Sequence, residues 1–221
     1  MKELIELSPY YPVFLKVREK KCLVVGGGEV ALRKVKALLE HGANVEVISP
    51  ELCPELSEIA ENGAIQVHQR NYKAEDLIGI LIAIVATDDT KVNEIIAADA
   101  RKRGILANVV DDLEHSDFIV PSYFTQGDVI IAVSTSGKSP ALARKIRTEL
   151  EKDFGVEYVQ LAQIASEVRL ELKQQGIMVD NDAWQEVLDL GSLSNLIRDG
   201  RNQEAKDIIL NNLKTSKGKK P

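Results

Sequence analysis

The sequence predicts an α/β fold in which a parallel sheet with flanking helices comes first, then a β-hairpin, then helices alone. Up to Val110, short apolar runs alternate with amphipathic segments, as in successive right-handed βαβ units. Three consecutive glycines, residues 26–28, separate the first apolar run from the first amphipathic segment. After Asp112 the alternation stops. We therefore expect a Rossmann-type domain over residues 1–113.

Five apolar runs predict the strands of the sheet. Residues 80–86 are the most hydrophobic stretch of the chain, so we place them at the sheet centre. The other strands are expected at residues 21–25, 44–48, 65–69 and 105–110.

The first helix is predicted over residues 29–41, directly after the glycines. Ala31, Val35 and Leu38 recur at helical spacing and indicate its buried face. Gly42 is placed to end the helix as a C-terminal cap. The solvated face is expected to carry Arg33, Lys34 and Lys36.

The second half of the chain predicts a hairpin followed by helices. Residues 118–124 and 129–135 are strand-like runs joined by a short glycine-containing turn. Ser139 and Pro140 then open a helix, with serine as N-cap and proline at the first helical position. From Glu157 onward the apolar spacing is helical.

Composition and charge exclude several classes of function. A formal net charge of -6 makes nucleic acid a poor partner. No apolar run approaches the ~20 residues needed to cross a bilayer, and residues 1–7 lack a signal-peptide core. We therefore expect a cytoplasmic protein with no membrane partner. The cysteines and histidines have no metal-ligand spacing, so no metal site is expected, and residues 214–221 are expected to fray.

The glycines form a motif suited to phosphate binding. Gly26, Gly28 and Ala31 fit G-x-G-x-x-A, in which the first glycine turns the chain and the second admits a pyrophosphate. The N–H groups and dipole of the next helix favour an anion, so Glu29 and Val30 join the predicted cofactor-binding residues. The alternative is a glycine-rich turn that binds no nucleotide, which the surrounding βα pattern disfavours.

The predicted ribose-binding loop departs from the usual pattern. An acidic residue normally follows the second strand and holds the ribose 2′-hydroxyl, whereas this chain has Ser49, Pro50 and Glu51 there. We expect Ser49 or Glu51 to bind the ribose, with Pro50 beside them. Because no arginine follows to meet a 2′-phosphate, the sequence predicts NAD rather than NADP.

Polar residues also follow the later strands, where open α/β sheets bind their ligands. Thr87, Asp88 and Asn108 are predicted to lie near the cofactor. Helix capping is the alternative for Asp88 and the preferred interpretation for Asp89. Asp111 has no amphipathic helix after it to cap, so it is the predicted acid or base.

A third polar set lies between the predicted hairpin and the helix after it. Hydroxyls, a glycine and a helix N-terminus suit an anion, and basic side chains follow on the helix. A capped helix start with a solvated basic face is an equally good interpretation. The candidate anion-binding residues are Ser134, Ser136, Gly137, Lys138, Ser139, Arg144 and Arg147.

Taken together, these segments resemble the precorrin-2 dehydrogenase family, the dehydrogenase/ferrochelatase domains of siroheme synthases. They occur in the family's order and cover about residues 10–150. The segments are YPVFL at 11–15, VVGGGEVALRK at 24–34, ATDD at 86–89 with VN at 92–93, NVVD at 108–111, FIVPS at 118–122 and AVSTSGKSPALA at 132–143.

The resemblance implies oxidation of precorrin-2 to sirohydrochlorin, with NAD+ as hydride acceptor, in siroheme biosynthesis. It also implies that Asp111 is the catalytic residue, that Ser134 lies near the tetrapyrrole, and that the chain forms a homodimer. We therefore assign residues 114–150 to dimerisation and substrate binding, and residues 151–221 to a helical domain.

The resemblance leaves alternatives open. Some relatives also insert iron into sirohydrochlorin, so a bifunctional enzyme is one alternative. A non-catalytic NAD-sensing regulatory domain is another, from a different functional class. Because relatives fused to a methyltransferase are longer, this chain is not expected to make precorrin-2 itself.

Overall fold

A computed structural model describes residues 8–216, and within that range the chain forms two compact units. The first unit ends at Val120 and the second begins at Pro121. The finer division into three segments stays a prediction. The chain start and the end of the predicted basic tail, residues 1–7 and 217–221, lie outside the described residues.

The described part of the first unit contains a parallel sheet of five strands in the order β3-β2-β1-β4-β5. The strands are β1 (Lys21–Val25), β2 (Asn44–Ile48), β3 (Gln66–His68), β4 (Ile82–Val85) and β5 (Leu106–Val109). The helices are α1 (Glu29–Glu40), α2 (Pro54–Glu61) and α3 (Thr90–Lys102), with a 3₁₀ helix at Ala74–Leu77. The predicted Rossmann-type sheet is confirmed. Its central strand is β1, and the most hydrophobic strand, β4, lies beside it.

Apolar side chains cover both faces of this sheet. On one face Val24 packs with Val35 of α1 and Leu56 of α2. On the other face Leu23 packs with Ile96 of α3. Burial on both faces explains why β1 and β4 are continuous apolar runs instead of alternating ones.

The helix α1 follows its predicted pattern with one exception. Its apolar face is buried, and Gly42 follows it with a φ of +74°. Arg33 and Lys36 are exposed as predicted. The expectation is wrong for Lys34, which is half-buried. Lys34 therefore lies in a drier environment than its helical position suggested.

The second unit consists of a hairpin and helices. The hairpin pairs β6 (Ser122–Gln126) with β7 (Val129–Val133), and α4 (Pro140–Asp153) follows. The remaining helices are α5 (Val156–Gln174), α6 (Asn181–Val187), α7 (Leu190–Arg198) and α8 (Asn202–Ser216). They enclose a core that includes Val168, Trp184 and Ile209, which confirms the predicted helical C-terminal region. Within residues 8–216, no helix is long and apolar enough to cross a membrane.

The first hairpin strand begins later than predicted. Residues 118–121 are not part of β6, which starts at Ser122. Phe118 instead packs against the core beneath α1, and its carbonyl accepts a hydrogen bond of 2.9 Å from the side chain of Asn108. Phe118 therefore serves the sheet of the first unit, which local hydrophobicity could not reveal.

Candidate active site

The glycine loop after β1 is shaped by close backbone contacts. Gly26 has a φ of +125°, and a Cβ built there would lie 2.2 Å from the carbonyl oxygen of Ala86. A Cβ on Gly27 would lie 1.9 Å from the carbonyl oxygen of Glu51. At Gly28 a Cβ would meet nothing within 4 Å. The first two glycines therefore allow the loop to form, and the third borders open space.

The first turn of α1 is arranged to receive an anion. Gly28 is the N-cap, and its carbonyl accepts a hydrogen bond from the Leu32 N–H. Because glycine has no side chain, no side chain caps the first N–H groups of the helix. These N–H groups and the positive end of the helix dipole favour a phosphate group. Glu29 is exposed and Val30 is half-buried at this end. The residues present therefore fit the pyrophosphate of a dinucleotide.

The loop after β2 supports the glycine loop from the side. Ser49 is buried, and its hydroxyl donates a hydrogen bond of 2.6 Å to the carbonyl of Glu51. The N–H of Cys53 donates to the carbonyl of Gly27 at 2.7 Å. Pro50 and the side chain of Glu51 are exposed. This arrangement gives Ser49 a structural role in the loop, and its predicted contact with the ribose stays a prediction.

Three potential metal ligands meet beside this loop. Glu29, Cys53 and Glu55 have ligand atoms that all lie within 4.8 Å of one another. Both carboxylates lie in the first turns of their helices, where their charge is favourable. Their negative charge also makes this edge of the loop a poor place for a second anion.

A side-chain lock holds the loop after β4. The Thr87 hydroxyl donates to Oδ1 of Asn93 at 2.6 Å, and the Asn93 amide donates to the Thr87 carbonyl at 3.0 Å. Asp89 is the N-cap of α3 and accepts from two N–H groups of its first turn, which confirms its predicted capping role. Asp88 is exposed beside them. Because Asp89 is engaged in capping, Asp88 is better placed than Asp89 to contact a ligand.

The outer edge of β5 is closed by the chain that follows it. The Asp117 carboxylate accepts from the Ala107 N–H, and the Ser116 hydroxyl accepts from the Val109 N–H, both at 2.9 Å. Asn108 is buried, and its side-chain amide donates a hydrogen bond to the Phe118 carbonyl. Asn108 therefore anchors this returning segment, while its predicted contact with the cofactor stays a prediction.

Asp111 lies at the turn between β5 and the returning segment. It is exposed and has a φ of +60°, an unusual conformation for a residue other than glycine. Within residues 8–216 its carboxylate forms no hydrogen bond. Its negative charge acts to raise the pKa of Lys34 in α1. The carboxylate is thus presented to solvent at the carboxyl edge of the sheet, and its role as an acid or base stays a prediction.

The neighbouring Asp112 is already engaged. Its carboxylate pairs with Nδ1 of His115 at 2.7 Å and accepts from the His115 N–H at 3.1 Å. The backbone and side-chain hydrogen bonds from His115 lower the pKa of Asp112. In return, the hydrogen bond to Asp112 raises the pKa of His115. The pair stabilises the turn that contains Asp111.

The predicted anion-binding set lies in the second unit. The loop before α4 bends through Ser136 and Gly137, both with positive φ, and Ser139 caps the helix as predicted. The Ser134 hydroxyl accepts from the Ser136 N–H at 3.0 Å. Lys138 is exposed at the same bend. Capping and anion binding therefore remain compatible here.

The two arginines of α4 differ. Arg144 is exposed. Arg147 is half-buried and pairs with Glu151 one turn later. Its guanidinium is already neutralised, so Arg144 is the more available cation of the two.

Comparisons with known proteins identify the relatives of this chain. The family described as "Putative NAD(P)-binding" matches residues 13–122, and the family described as "Sirohaem biosynthesis protein central" matches residues 126–153. The siroheme synthase of Chromobacterium violaceum is 43% identical over 193 residues, which are 86% of this chain and 41% of that protein. The siroheme synthase of Nitrosococcus oceani is 41% identical over 202 residues, 90% of this chain and 43% of that protein.

A solved structure extends the likeness to both units. The structure described as "SirC, precorrin-2 dehydrogenase" matches with a TM-score of 0.66 and 27% identity, covering 93% of this chain and 100% of that one. The chain belongs to the precorrin-2 dehydrogenase family. It spans less than half the length of the two siroheme synthases.

Two residues that shape the candidate site were missed in the sequence. Gly27 occupies a variable position of the motif, yet it has the closest backbone approach of the three glycines. Asn93 was part of a recognised segment, but its bond to Thr87 depends on the turn between them. The apolar pattern gave no signal for either of them.

The structure of the glycine loop predicts different effects for two alanine substitutions, one on stability and one on dinucleotide binding. Gly27→Ala should lower the free energy of unfolding by about 1–3 kcal/mol, because the new methyl group must displace the Glu51 carbonyl. Gly28→Ala should lower it by less than about 1 kcal/mol, because alanine is a poorer N-cap than glycine, but it should weaken dinucleotide binding, because its methyl group enters the open space. Denaturant unfolding without ligand and calorimetric titration of NAD+ check both. Equal stability of the two variants would contradict this account of the loop.

The Asp112–His115 pair predicts a pH window of maximal contribution to stability. Because the pKa of His115 is raised, its contribution is complete below 6.5 and is lost as pH rises through the raised pKa. Because the pKa of Asp112 is lowered, its contribution is complete above 3.8 and is lost as pH falls through the lowered pKa. His115→Gln should therefore destabilise most between these two pH values.

The measurement is the melting temperature of wild type minus that of His115→Gln, followed across pH. Asp112→Asn should give the same profile, and the double variant should add nothing to either. A difference that stays constant from pH 4 to pH 9 would show that the pair does not couple to protons.

Proposed function

We propose that this chain oxidises precorrin-2 to sirohydrochlorin with NAD+ as hydride acceptor. The observation that carries the proposal is the exposed Asp111 carboxylate at the same carboxyl edge of the sheet as the phosphate-binding glycine loop. The family relationship supports it, since a structural relative is described as a precorrin-2 dehydrogenase. A cytoplasmic location, expected from the sequence, belongs to the same proposal.

NAD is the proposed dinucleotide because of the charge around the loop after β2. Glu51 is exposed there, and Glu29 and Glu55 lie close together on the same side. A ribose hydroxyl can donate a hydrogen bond to a carboxylate, whereas a 2′-phosphate would be repelled by this group. The proposal therefore assigns the ribose to Glu51 and its acidic neighbours.

The proposed reaction needs a proton acceptor on the protein. Bound NAD+ supplies the hydride acceptor. Asp111 accepts the proton that the tetrapyrrole loses as the hydride departs, and its exposure leaves the residue accessible to a substrate. Gly28 and the first turn of α1 hold the pyrophosphate, and Thr87 with Asn93 keeps the β4 loop in place.

The second unit is proposed to bind carboxylates of the substrate. The bend at Ser136 and Gly137, the N-terminus of α4 and the exposed side chains of Lys138 and Arg144 supply hydrogen-bond donors and positive charge. These features suit a tetrapyrrole because its carboxylates are numerous.

The chain is also proposed to act as a homodimer. Leu142, Ile146 and Leu150 recur every four residues along α4 and are 51%, 39% and 37% exposed. A repeated apolar stripe of this kind favours contact with another protein surface. Sedimentation analysis measures the assembly directly.

Metal insertion into sirohydrochlorin is the second candidate function. Asp111 favours it, because the same exposed carboxylate is suited to accept pyrrole protons as iron enters.

An NAD-sensing domain without catalysis is distinguished from a dehydrogenase by an assay of turnover. Wild-type protein, precorrin-2 and NAD+ should together form NADH and the absorption of sirohydrochlorin, and NADP+ should support a slower reaction. Tight NAD+ binding without turnover would favour the sensing function.

Asp111→Asn should lower the rate of NADH formation by ~10²–10⁴-fold. Asparagine keeps the shape and tolerates the positive φ, so the loop should fold while its proton acceptor is lost. Glu114→Gln, which alters an exposed carboxylate of the same loop, is the control and should stay near wild type. Steady-state rates and separate titrations of NAD+ and sirohydrochlorin check this. Near-normal turnover in Asp111→Asn would remove Asp111 from the mechanism.

Arg144→Ala should weaken sirohydrochlorin binding by roughly tenfold and leave NAD+ affinity unchanged, because an exposed charge-assisted contact is lost. Arg147→Ala should weaken it less, because Glu151 already neutralises that guanidinium. Lys145→Ala is the matched control, since Lys145 pairs with Glu149 at 2.7 Å. Fluorescence titration measures all three. Equal loss in the control would indicate a general effect of net charge.

A further inference from the structure

Ser116 is half-buried on the chain that returns along β5, and its hydroxyl contacts backbone groups on both sides of Asp111. It accepts a hydrogen bond from the Val109 N–H at 2.9 Å. It donates its proton to the Asp112 carbonyl at 2.6 Å, and the Val109 carbonyl lies 3.1 Å away as a second acceptor. A hydroxyl can make all of these contacts because one oxygen both donates and accepts.

Val109 and Asp112 are the two ends of the turn that contains Asp111. The Asp112 N–H donates to the Val109 carbonyl at 3.2 Å, and the two residues pair as an isolated antiparallel bridge. Asp111 is the third residue of this turn and has a φ of +60°. A residue other than glycine keeps such a conformation only where the surrounding contacts hold it. Loosening the ends of the turn therefore changes the φ of Asp111 and the direction of its side chain.

Ser116 also closes the outer edge of β5, a role that it shares with Asp117. The Asp117 carboxylate accepts from the Ala107 N–H at 2.9 Å, two residues before Val109 on the same strand. Its other described partner is Arg101 of α3, at 3.9 Å, so within residues 8–216 this carboxylate does not contact the turn. Comparing Ser116 with Asp117 therefore separates closing the edge from holding Asp111.

We propose that Ser116 is a positioning residue for Asp111, because its hydroxyl joins both ends of the turn and so fixes the direction in which the Asp111 carboxylate leaves the sheet. The inference rests on the proposed function, which assigns Asp111 the role of proton acceptor. Ser116 acts through Asp111 and need not touch the substrate. A base accelerates a reaction only when it is held within reach of the proton that it removes.

The first experiment measures NADH formation from precorrin-2 at a single pH, since the Asp112–His115 pair beside the turn titrates. Ser116→Ala should lower kcat roughly tenfold and leave the KM for precorrin-2 nearly unchanged, because the proton acceptor is displaced and the binding groups are not. Ser116→Thr keeps the hydroxyl and should recover most of the rate. Ser116→Cys fills the same space with a weaker donor and acceptor and should lie between them. Asp117→Ala, which opens the same edge away from the turn, should keep a near-normal kcat.

A double-variant cycle tests whether Ser116 acts through Asp111. In Asp111→Asn the proton acceptor is already lost, so adding Ser116→Ala should lower the remaining rate by less than about twofold. An equal further loss in both backgrounds would show a general structural effect and overturn the inference. Melting temperatures establish that every variant is folded under the conditions of the assay.

The second experiment needs no catalytic activity. Amide hydrogen exchange is followed by NMR at Val109 and Asp112, with Ala107 as the internal control. Ser116→Ala should speed exchange roughly tenfold at Val109 and Asp112, because the hydroxyl that joins the ends of the turn is lost, and should leave Ala107 near wild type. Asp117→Ala should do the reverse, and Ser116→Thr should match wild type.

The outcomes separate the inference from the proposed function. Unchanged exchange at Val109 and Asp112 in folded Ser116→Ala overturns the inference, whether or not the protein oxidises precorrin-2. An active wild type whose kcat is kept in Ser116→Ala, or falls equally in Asp117→Ala, also overturns it. An inactive wild type with the expected exchange pattern refutes the proposed function, while Ser116 remains the residue that holds the Asp111 turn.

Discussion

The contact between the glycine loop and the loop after β2 is the constraint on which the candidate site depends. The backbone of Gly27 lies so close to the Glu51 carbonyl that no side chain fits between them. The N–H of Cys53 and the hydroxyl of Ser49 fix the same two loops. Together these contacts hold the start of α1 toward the carboxyl edge of the sheet, where its dipole can act on a phosphate.

The other side of the site depends on a different device. Within residues 8–216, no further strand pairs with the outer edge of β5. Instead, the side chains of Ser116 and Asp117 accept hydrogen bonds from N–H groups of this strand. Closing the edge in this way forces a tight turn, and Asp111 lies in that turn with a positive φ. The exposed carboxylate of the proposed mechanism is thus a consequence of how the sheet ends.

The charged groups beside the two candidate binding regions differ in sign. Carboxylates border the glycine loop in the first unit, whereas Lys138 and Arg144 are exposed around the start of α4 in the second. An acidic border suits ribose hydroxyls, and a basic one suits a substrate rich in carboxylates. This division agrees with the proposal that each unit contributes one binding function.

The sequence by itself determined the sheet, the hairpin, the helical region and the position of the phosphate loop, because apolar periodicity and glycine spacing are local properties. It also placed the caps at Asp89 and Ser139. Only the tertiary structure decided the role of Gly27, the attachment of Phe118 to the first unit and the burial of Lys34. These three features depend on contacts between segments far apart in the chain, and a contact of that kind leaves no period in the sequence.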